Sequence, residues 1–209
     1  MLIEQLKAQQ VLPVLVIETI EQAAPLAELL LKYQLNCIEI TLRTRSALQV
    51  LNYLARQYPE LIIGAGTVLN VEQFDQVQQA GASFAISPGA TEPLLAKAAR
   101  SEMTFIPGVM TASETMQAQG YGFKLQKLFP AQVAGGVELL KAFSGPFSEL
   151  LFCPTGGVNP NNMADYLALN NVAVVGGTWL APLAQIQAGN WQQIESNFAS
   201  LQGQLTVSV

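Results

Sequence analysis

The side chain with the clearest chemical potential is a lysine near the end of an apolar, strand-like run. Lys127 lies in residues 123–129, and Pro130 follows directly. An ammonium group is costly to bury, because leaving water disfavours its charged form. Such a lysine either reaches water past its neighbours or is kept for its amine. A kept amine indicates a Schiff base with a carbonyl substrate, so the segment predicts covalent amine chemistry at Lys127.

The composition excludes several other kinds of active site. The chain has no histidine, which rules out Ser-His-Asp and Cys-His nucleophiles, His-ligated zinc and 2-His-1-carboxylate iron. Its two cysteines, Cys37 and Cys153, lie in apolar runs without CxxC spacing. We therefore expect buried thiols rather than a disulfide or a metal site. Proton transfer must use a carboxylate, lysine, tyrosine or water.

Polar side chains also interrupt a second apolar run, residues 37–42. Glu39, Thr41 and Arg43 occupy odd-numbered positions, whereas the residues at the even-numbered positions are apolar. Because side chains alternate along a strand, the odd residues of a closed barrel would face its interior. Lys127 would face the same interior, where burial and a nearby arginine favour the neutral amine. A charged network that only fills the interior is the alternative.

Eight strand-like runs alternate with segments of helical period. The strands are predicted at residues 11–17, 37–42, 61–68, 83–87, 104–107, 123–129, 150–155 and 172–175. The helices are predicted at residues 22–34, 46–58, 71–80, 92–102, 112–119, 133–143 and 161–170, after a short N-terminal helix within 1–10. Eight βαβ units predict an α/β fold, a (β/α)8 TIM barrel, and we expect residues 1–209 to form a single domain. A doubly wound open sheet is the alternative, but the first strand lacks the Gly-rich loop typical of that fold.

Glycines end three of the predicted strands. Two pairs, in Thr155-Gly156-Gly157 and Gly176-Gly177-Thr178, follow the seventh and eighth strands. The loops after these strands of a (β/α)8 barrel often bind phosphate, so the pairs predict a phosphate site. At the end of the third strand, Gly66 would let a ligand approach and Thr67 could donate to a carboxylate. Simple turns that begin helices are the alternative at all three places.

Charge and hydropathy indicate the kind of partner. Half of the residues are apolar, 12% are charged, the net charge is -5 and the pI is about 4.7. No basic run is present, which argues against a nucleic-acid surface. No apolar stretch reaches the roughly 18–20 residues that span a bilayer, and the N-terminus does not resemble a signal peptide. We expect no membrane association and a cytoplasmic location.

Six motifs together resemble the bacterial 2-dehydro-3-deoxy-6-phosphogluconate (KDPG) aldolase family. Members of this family are class I, Schiff-base aldolases on a (β/α)8 barrel. The motifs span nearly the whole chain in the order of the barrel. They are residues 38–44 (IEITLRT), 64–69 (GAGTVL), 84–89 (FAISPG), 127–131 (KLFPA), 153–157 (CPTGG) and 176–180 (GGTWL).

The resemblance implies a role for each matching position. Lys127 would form the Schiff base, and Glu39 would act as general acid and base through a water. The pyruvate carboxylate would be bound by Arg43 and Thr67, and the pyruvyl pocket would be walled by Pro88 and Phe129. The phosphate would be held by Gly156, Gly157, Gly176, Gly177 and Thr178. The family commonly has serine at the position of Thr178, which keeps the hydroxyl.

The resemblance also implies the reaction and the assembly. We expect reversible cleavage of KDPG, a phosphorylated 2-keto acid, to pyruvate and D-glyceraldehyde 3-phosphate, with no metal or organic cofactor, by a homotrimer. Within the family, 4-hydroxy-2-oxoglutarate and the galactonate epimer are alternative substrates, and Thr155 is placed to sense the carbon-4 hydroxyl. Outside it, a phosphosugar isomerase or epimerase and a non-catalytic phosphosugar-binding barrel remain as alternatives.

Overall fold

The computed structural model describes residues 2–207, in which strands and helices alternate. The strands are β1 Val11–Leu15, β2 Cys37–Thr41, β3 Ile62–Gly66, β4 Phe84–Ile86, β5 Thr104–Ile106, β6 Gly108–Val109, β7 Leu125–Leu128, β8 Leu151–Phe152 and β9 Val175–Gly177. The helices are α1 Leu2–Gln9, α2 Ile20–Lys32, α3 Ala47–Gln57, α4 Val71–Gln79, α5 Glu92–Ala98, α6 Ala112–Gly120, α7 Ala131–Ala134, α8 Gly136–Phe143, α9 Met163–Leu167, α10 Leu183–Gln187 and α11 Trp191–Val207. Within 2–207, none of these helices combines the length and apolarity needed to cross a bilayer.

The strands are parallel and close into a barrel. One sheet has the order β5-β4-β3-β2-β1-β9, and the other has the order β6-β7-β8. At one junction β6 follows β5 after a single residue, Pro107. At the other junction β8 and β9 meet through bridges from Phe152 to Val172 and from Thr155 to Gly176. The predicted (β/α)8 barrel is confirmed.

The fifth barrel position is split where one strand, residues 104–107, is predicted. Pro107 has no N–H to donate, so it interrupts the ladder. Its carbonyl still accepts the Lys127 N–H at 2.8 Å. The Gly108 N–H donates to the hydroxyl oxygen of the buried Ser87 at 3.1 Å. The chain thus stays in the barrel wall, and Gly108 pairs with Lys127.

The two faces of the strands bury different sets of residues. Inside the barrel, an apolar cluster includes Leu12, Cys37, Phe84, Ile86, Ile106, Leu125 and Cys153. Outside the strands, Ile38 and Ile40 pack in the larger cluster with buried residues of α2 and α3, such as Leu26 and Leu51. The predicted parity of the second strand is therefore correct, and its odd positions face inward.

The start of α2 is firmly fixed to the end of β1. Thr19 caps the helix, and its partner in a capping box is Gln22. The Gln22 side-chain oxygen accepts the N–H groups of Glu18 at 3.0 Å and Thr19 at 3.3 Å. A capping box satisfies backbone donors that would otherwise lack partners, so this connection is held in one conformation.

Other parts of the chain also differ from the sequence-based expectation, among them α10, a helix that was not predicted. The last strand lies at Val175–Gly177 rather than 172–175, because Gly176 and Gly177 pair with β1. The helix predicted at 133–143 is divided into α7 and α8 at Gly135, whose φ is 117°. The C-terminal helix α11 was not predicted, although its residues Ile194, Phe198 and Leu201 are buried.

Candidate active site

A buried ion pair lies at the floor of the barrel mouth. Lys127 Nζ, from β7, is 3.2 Å from Glu39 Oε1 and 3.5 Å from Oε2, from β2. The side chains are only 6% and 1% exposed. Neither charge would be tolerated here alone, since an unpaired buried ion carries a large desolvation cost. The contact confirms the prediction that the odd residues of these two strands share one interior.

Lys127 places a side-chain amine at this floor. The Phe129 ring lies beside it, with the centroid 5.4 Å from Nζ. The neighbouring Cys153 thiol is fully buried, and burial raises its pKa to about 11 against the opposing effect of the Lys127 charge. A thiol is reactive chiefly as the thiolate. Cys153 therefore stays protonated at neutral pH and does not compete with the lysine amine.

A cavity of about 480 Å³ opens above the pair, at the carboxyl ends of the strands. Its volume is in the range of small-molecule sites. Arg43 lines this cavity together with Lys127, and its guanidinium makes no ion pair with any residue in 2–207. Of the predicted site residues, the lining includes Arg43, Lys127, Phe129, Thr155, Gly156, Gly157, Gly176 and Thr178. Most of the predicted constellation is therefore in one place.

Four predicted residues do not line the cavity: Glu39, which contacts Lys127 at the floor, and Thr67, Pro88 and Gly177. Thr67 follows β3 and has a φ of 61°, a left-handed conformation that is rare for a β-branched residue. Pro88 is half-buried after β4, with its backbone against Gly108. Gly177 is buried, and its α-carbon faces the Trp179 ring. The roles assigned to these residues, like the roles of the residues that line the cavity, stay predictions.

The cavity also has walls that were not predicted. They are Val14, Pro130, Gln132, Val133 and Val158. Val14 pairs with Glu39 across β1 and β2, so barrel position alone could have identified it. The other four follow β7 and β8 directly, where the loops of this fold form the site. Apolar residues, and a single glutamine such as Gln132, give no chemical signal in a sequence, and that is why they were missed.

Comparison with known proteins identifies the family. The family model described as "Aldolase: KDPG and KHG aldolase" matches residues 2–197. The chain belongs to the KDPG and KHG aldolase family. The predicted resemblance is confirmed, and the family is one of carbon–carbon lyases.

Individual members of the aldolase family are similar along most of their length. The "KHG/KDPG aldolase" of Escherichia coli (strain K12) is 48% identical over 184 residues, which are 88% of this chain and 86% of the relative. The "2-dehydro-3-deoxy-phosphogluconate aldolase" of Pseudomonas aeruginosa is 49% identical over 186 residues, 89% and 84% of the two chains. A crystal structure of KDPG aldolase from Legionella pneumophila, with pyruvate captured as a covalent carbinolamine intermediate, is 46% identical. The structural match covers 94% of this chain and 95% of the Legionella chain, with a TM-score of 0.91.

Gly66 makes room for the carboxylate of this aldolase site. A Cβ at Gly66 would lie 1.9 Å from Glu39 Oε1 and 2.6 Å from Cγ and Cδ. The buried Glu39 cannot give way without leaving Lys127. Gly176 has the same relation to Thr155, since its Cβ would lie 2.2 Å from the threonine hydroxyl oxygen. These glycines allow two polar side chains to fit between neighbouring strands.

We expect Gly66→Ala to reduce kcat/KM by about 10²-fold, because a misplaced reacting group costs about that much. Overpacking should also lower the free energy of unfolding by about 1–3 kcal/mol. Steady-state kinetics and denaturant unfolding would measure the two effects. Gly120→Ala is the matched control, because nothing lies within 4 Å of a Cβ at Gly120. Unchanged kcat/KM in Gly66→Ala would contradict the assigned position of Glu39.

Proposed function

We propose that this chain is a class I aldolase that cleaves KDPG reversibly to pyruvate and D-glyceraldehyde 3-phosphate. The contact between Lys127 and Glu39, 3.2 Å apart at the cavity floor, carries the proposal. It supplies a nucleophilic amine and a carboxylate that can exchange protons with it. A barrel that only bound phosphosugars would have no chemical use for such a pair.

Formation of the Schiff base begins with loss of a proton from the Lys127 ammonium. Glu39 is the adjacent acceptor. The neutral amine attacks carbon 2 of the keto acid and gives a carbinolamine. Glu39 returns its proton to the carbinolamine hydroxyl, which leaves as water, so that Glu39 is again a carboxylate. The product is an iminium, which is the electron sink that the reaction needs.

Cleavage follows when the carbon-4 hydroxyl gives up its proton. We assign Glu39, through a water, as the base. The electrons of that O–H bond form the aldehyde, and those of the carbon 3–carbon 4 bond move into the iminium to form an enamine. Protonation of the enamine at carbon 3 and hydrolysis of the imine release pyruvate and restore Lys127. The water lost at the start is regained at the end, so the reaction balances.

Arg43 and Thr67 are assigned to the carboxylate of the keto acid. Arg43 lines the cavity and is exposed, and no acidic side chain in 2–207 pairs with it, so its guanidinium is available to an anion. A guanidinium binds a carboxylate through two parallel hydrogen bonds. Thr67 is held in a left-handed conformation. Strain of this kind is concentrated at functional sites, which supports the assignment of Thr67.

The phosphate is assigned to the loops after β8 and β9. Gly156 and Gly157 have φ values of 95° and 84°. Within residues 2–207, the N–H groups of Gly156 and Gly157 donate no hydrogen bond to another backbone group. Consecutive free N–H groups in such a conformation form a concavity that suits an anion. Thr178 lines the same cavity and offers a hydroxyl.

An assay of three substrates with the purified protein tests the proposal. Pyruvate release is measured with KDPG, with its galactonate epimer and with 4-hydroxy-2-oxoglutarate, each in the presence of EDTA. We expect KDPG to give the highest kcat/KM. The similarity to a KHG/KDPG aldolase makes 4-hydroxy-2-oxoglutarate the second candidate substrate. Preference for the galactonate epimer would contradict the substrate assignment, and no release from any of the three would contradict the function.

Assembly and location complete the proposal. A homotrimer, as the family resemblance implies, would cover apolar side chains such as Leu69 and Met110, which are 54% and 43% exposed. Sedimentation equilibrium would show three chains, and a monomer would contradict it. Cys37 and Cys153 are free, buried thiols, which supports a reducing, cytoplasmic location.

A further inference from the structure

The segment that carries Arg43 leaves the barrel wall just before the arginine. The ladder between β1 and β2 includes Leu15 and Ile40 and goes no further. On the other side, Leu42 N–H still donates to Gly66 at 2.8 Å, and Ala47 N–H donates to Thr44 at 3.3 Å where α3 begins. Backbone bonds therefore fix the two ends of the segment 42–46. Its middle must be held in another way.

Three hydroxyl groups continue the contact with β1 beyond the ladder. Thr41 Oγ1 donates to the Leu15 carbonyl at 3.0 Å. Thr44 Oγ1 donates to the Ile17 carbonyl at 2.8 Å. Ser46 Oγ donates to the Glu18 carbonyl. Arg43 lies between the first and second of these contacts, so its backbone is tied on one side to the end of β1 and on the other side to Ile17, just after that strand.

The residues that supply two of these acceptors are themselves buried or hydrogen-bonded. Ile17 is 1% exposed. The Glu18 carboxylate accepts Gln187 Nε2 at 2.9 Å, and the Glu18 N–H donates to Gln22. A hydrogen bond positions a group only when its partner is fixed, and here capping of α2 fixes the partner. Arg43 makes no ion pair with a residue in 2–207, so its side chain is not held by a carboxylate.

We infer that Thr44 is a positioning residue for the carboxylate-binding arginine. Its hydroxyl bond to Ile17 holds the backbone of Arg43 so that the guanidinium faces the cavity above Lys127. The inference rests on the proposed function, because it assumes that Arg43 binds the keto-acid carboxylate. Thr44 touches no reacting atom in this assignment and acts through Arg43 alone.

The test compares Thr44→Val, which keeps the shape and removes the hydroxyl, with Thr44→Ser, which keeps the hydroxyl. The first readout is the pyruvate concentration that gives half-maximal borohydride trapping of the Schiff base. We expect Thr44→Val to raise it about tenfold, with the trapping rate at saturation changed less than about threefold. Thr44→Ser should stay within about twofold of the parent. Equal values for the three proteins would overturn the inference.

A stability control separates positioning from folding. Thr115→Val removes another hydroxyl bond, from Oγ1 of the buried Thr115 in α6 to the carbonyl of Thr111, which precedes that helix, at 3.0 Å. We expect this variant to lower the unfolding temperature as Thr44→Val does and to leave half-saturation by pyruvate unchanged. If Thr115→Val moves half-saturation as much, the effect is general destabilisation and the inference fails.

A double-mutant cycle shows whether Thr44 acts through Arg43. In an Arg43→Ala background, Thr44→Val should change half-saturation by less than about twofold, because the group that it positions is gone. A full additional tenfold rise would overturn the inference. Absence of any trapped adduct in the parent protein would instead contradict the proposed function, so the two failures are distinguishable.

Discussion

Lys127→Ala is expected to abolish turnover, with kcat/KM reduced by at least about 10⁴-fold, because the variant lacks the amine that forms the Schiff base. It also leaves the Glu39 carboxylate buried without its partner 3.2 Å away. Removal of one member of a buried pair costs about 3–5 kcal/mol of stability. Pyruvate release and denaturant unfolding would measure both effects.

Two further variants separate chemistry from stability. Lys127→Arg keeps a cation beside Glu39, but a guanidinium stays protonated and is no nucleophile, so it should be as inactive as Lys127→Ala. Lys124→Ala is the matched control, because Lys124 lies just before the same strand and is exposed. It should keep activity within about twofold of the parent, since exposed substitutions away from a site change little. Turnover by Lys127→Arg, or loss of turnover in Lys124→Ala, would contradict the assignment.

Glu39→Gln is expected to retain the Schiff base but to lower kcat by about 10²–10⁴-fold, the usual contribution of a positioned acid or base. The amide has the shape of the carboxylate and can accept a bond from Lys127, but it cannot take up a proton near neutral pH. Trapped adduct and kcat would be measured on the same preparation.

The contrast between adduct formation and turnover is what identifies the role of Glu39. With saturating pyruvate and borohydride, the variant should still be labelled, although more slowly than the parent. Deuterium exchange at the pyruvate methyl group should fall with kcat, because both need proton transfer at carbon 3. A Glu39→Gln enzyme with the parent kcat would show that another group moves the proton.

The barrel could be predicted because its pattern is carried by the strands themselves. Eight buried apolar runs at regular spacing leave few other folds, and parity then places Glu39 and Lys127 in one interior. The last strand was misplaced because Gly176 and Gly177 have low strand propensity, yet they pair with β1 in the barrel. Likewise, nothing in the sequence around Pro107 indicates that strand pairing resumes at Gly108, where the chain pairs with Lys127.

Site residues with chemically distinctive side chains could be predicted from the sequence. Residues that only shape the cavity could not. Lys127 and Glu39 stand out because charged side chains are rare in buried strands. Arg43 stands out because it continues the odd-numbered positions of Glu39 and Thr41 just past the end of β2. Strand parity predicts that the Lys127 and Glu39 side chains face the same interior. It does not predict the distance between their end groups, on which their direct contact depends. The space that Gly66 leaves for Glu39 is a distance between neighbouring strands, and only coordinates show it. In the sequence, a cavity-lining residue such as Val14 cannot be distinguished from other apolar core residues.

The central claim is that the Lys127 amine forms the covalent intermediate. The most direct measurement is borohydride reduction of the protein in the presence of pyruvate, followed by peptide mapping of the modified residue by mass spectrometry. The structure predicts one adduct per chain, on Lys127, that requires pyruvate and is prevented by Lys127→Ala. An adduct on any other lysine, or no adduct at all, would contradict it.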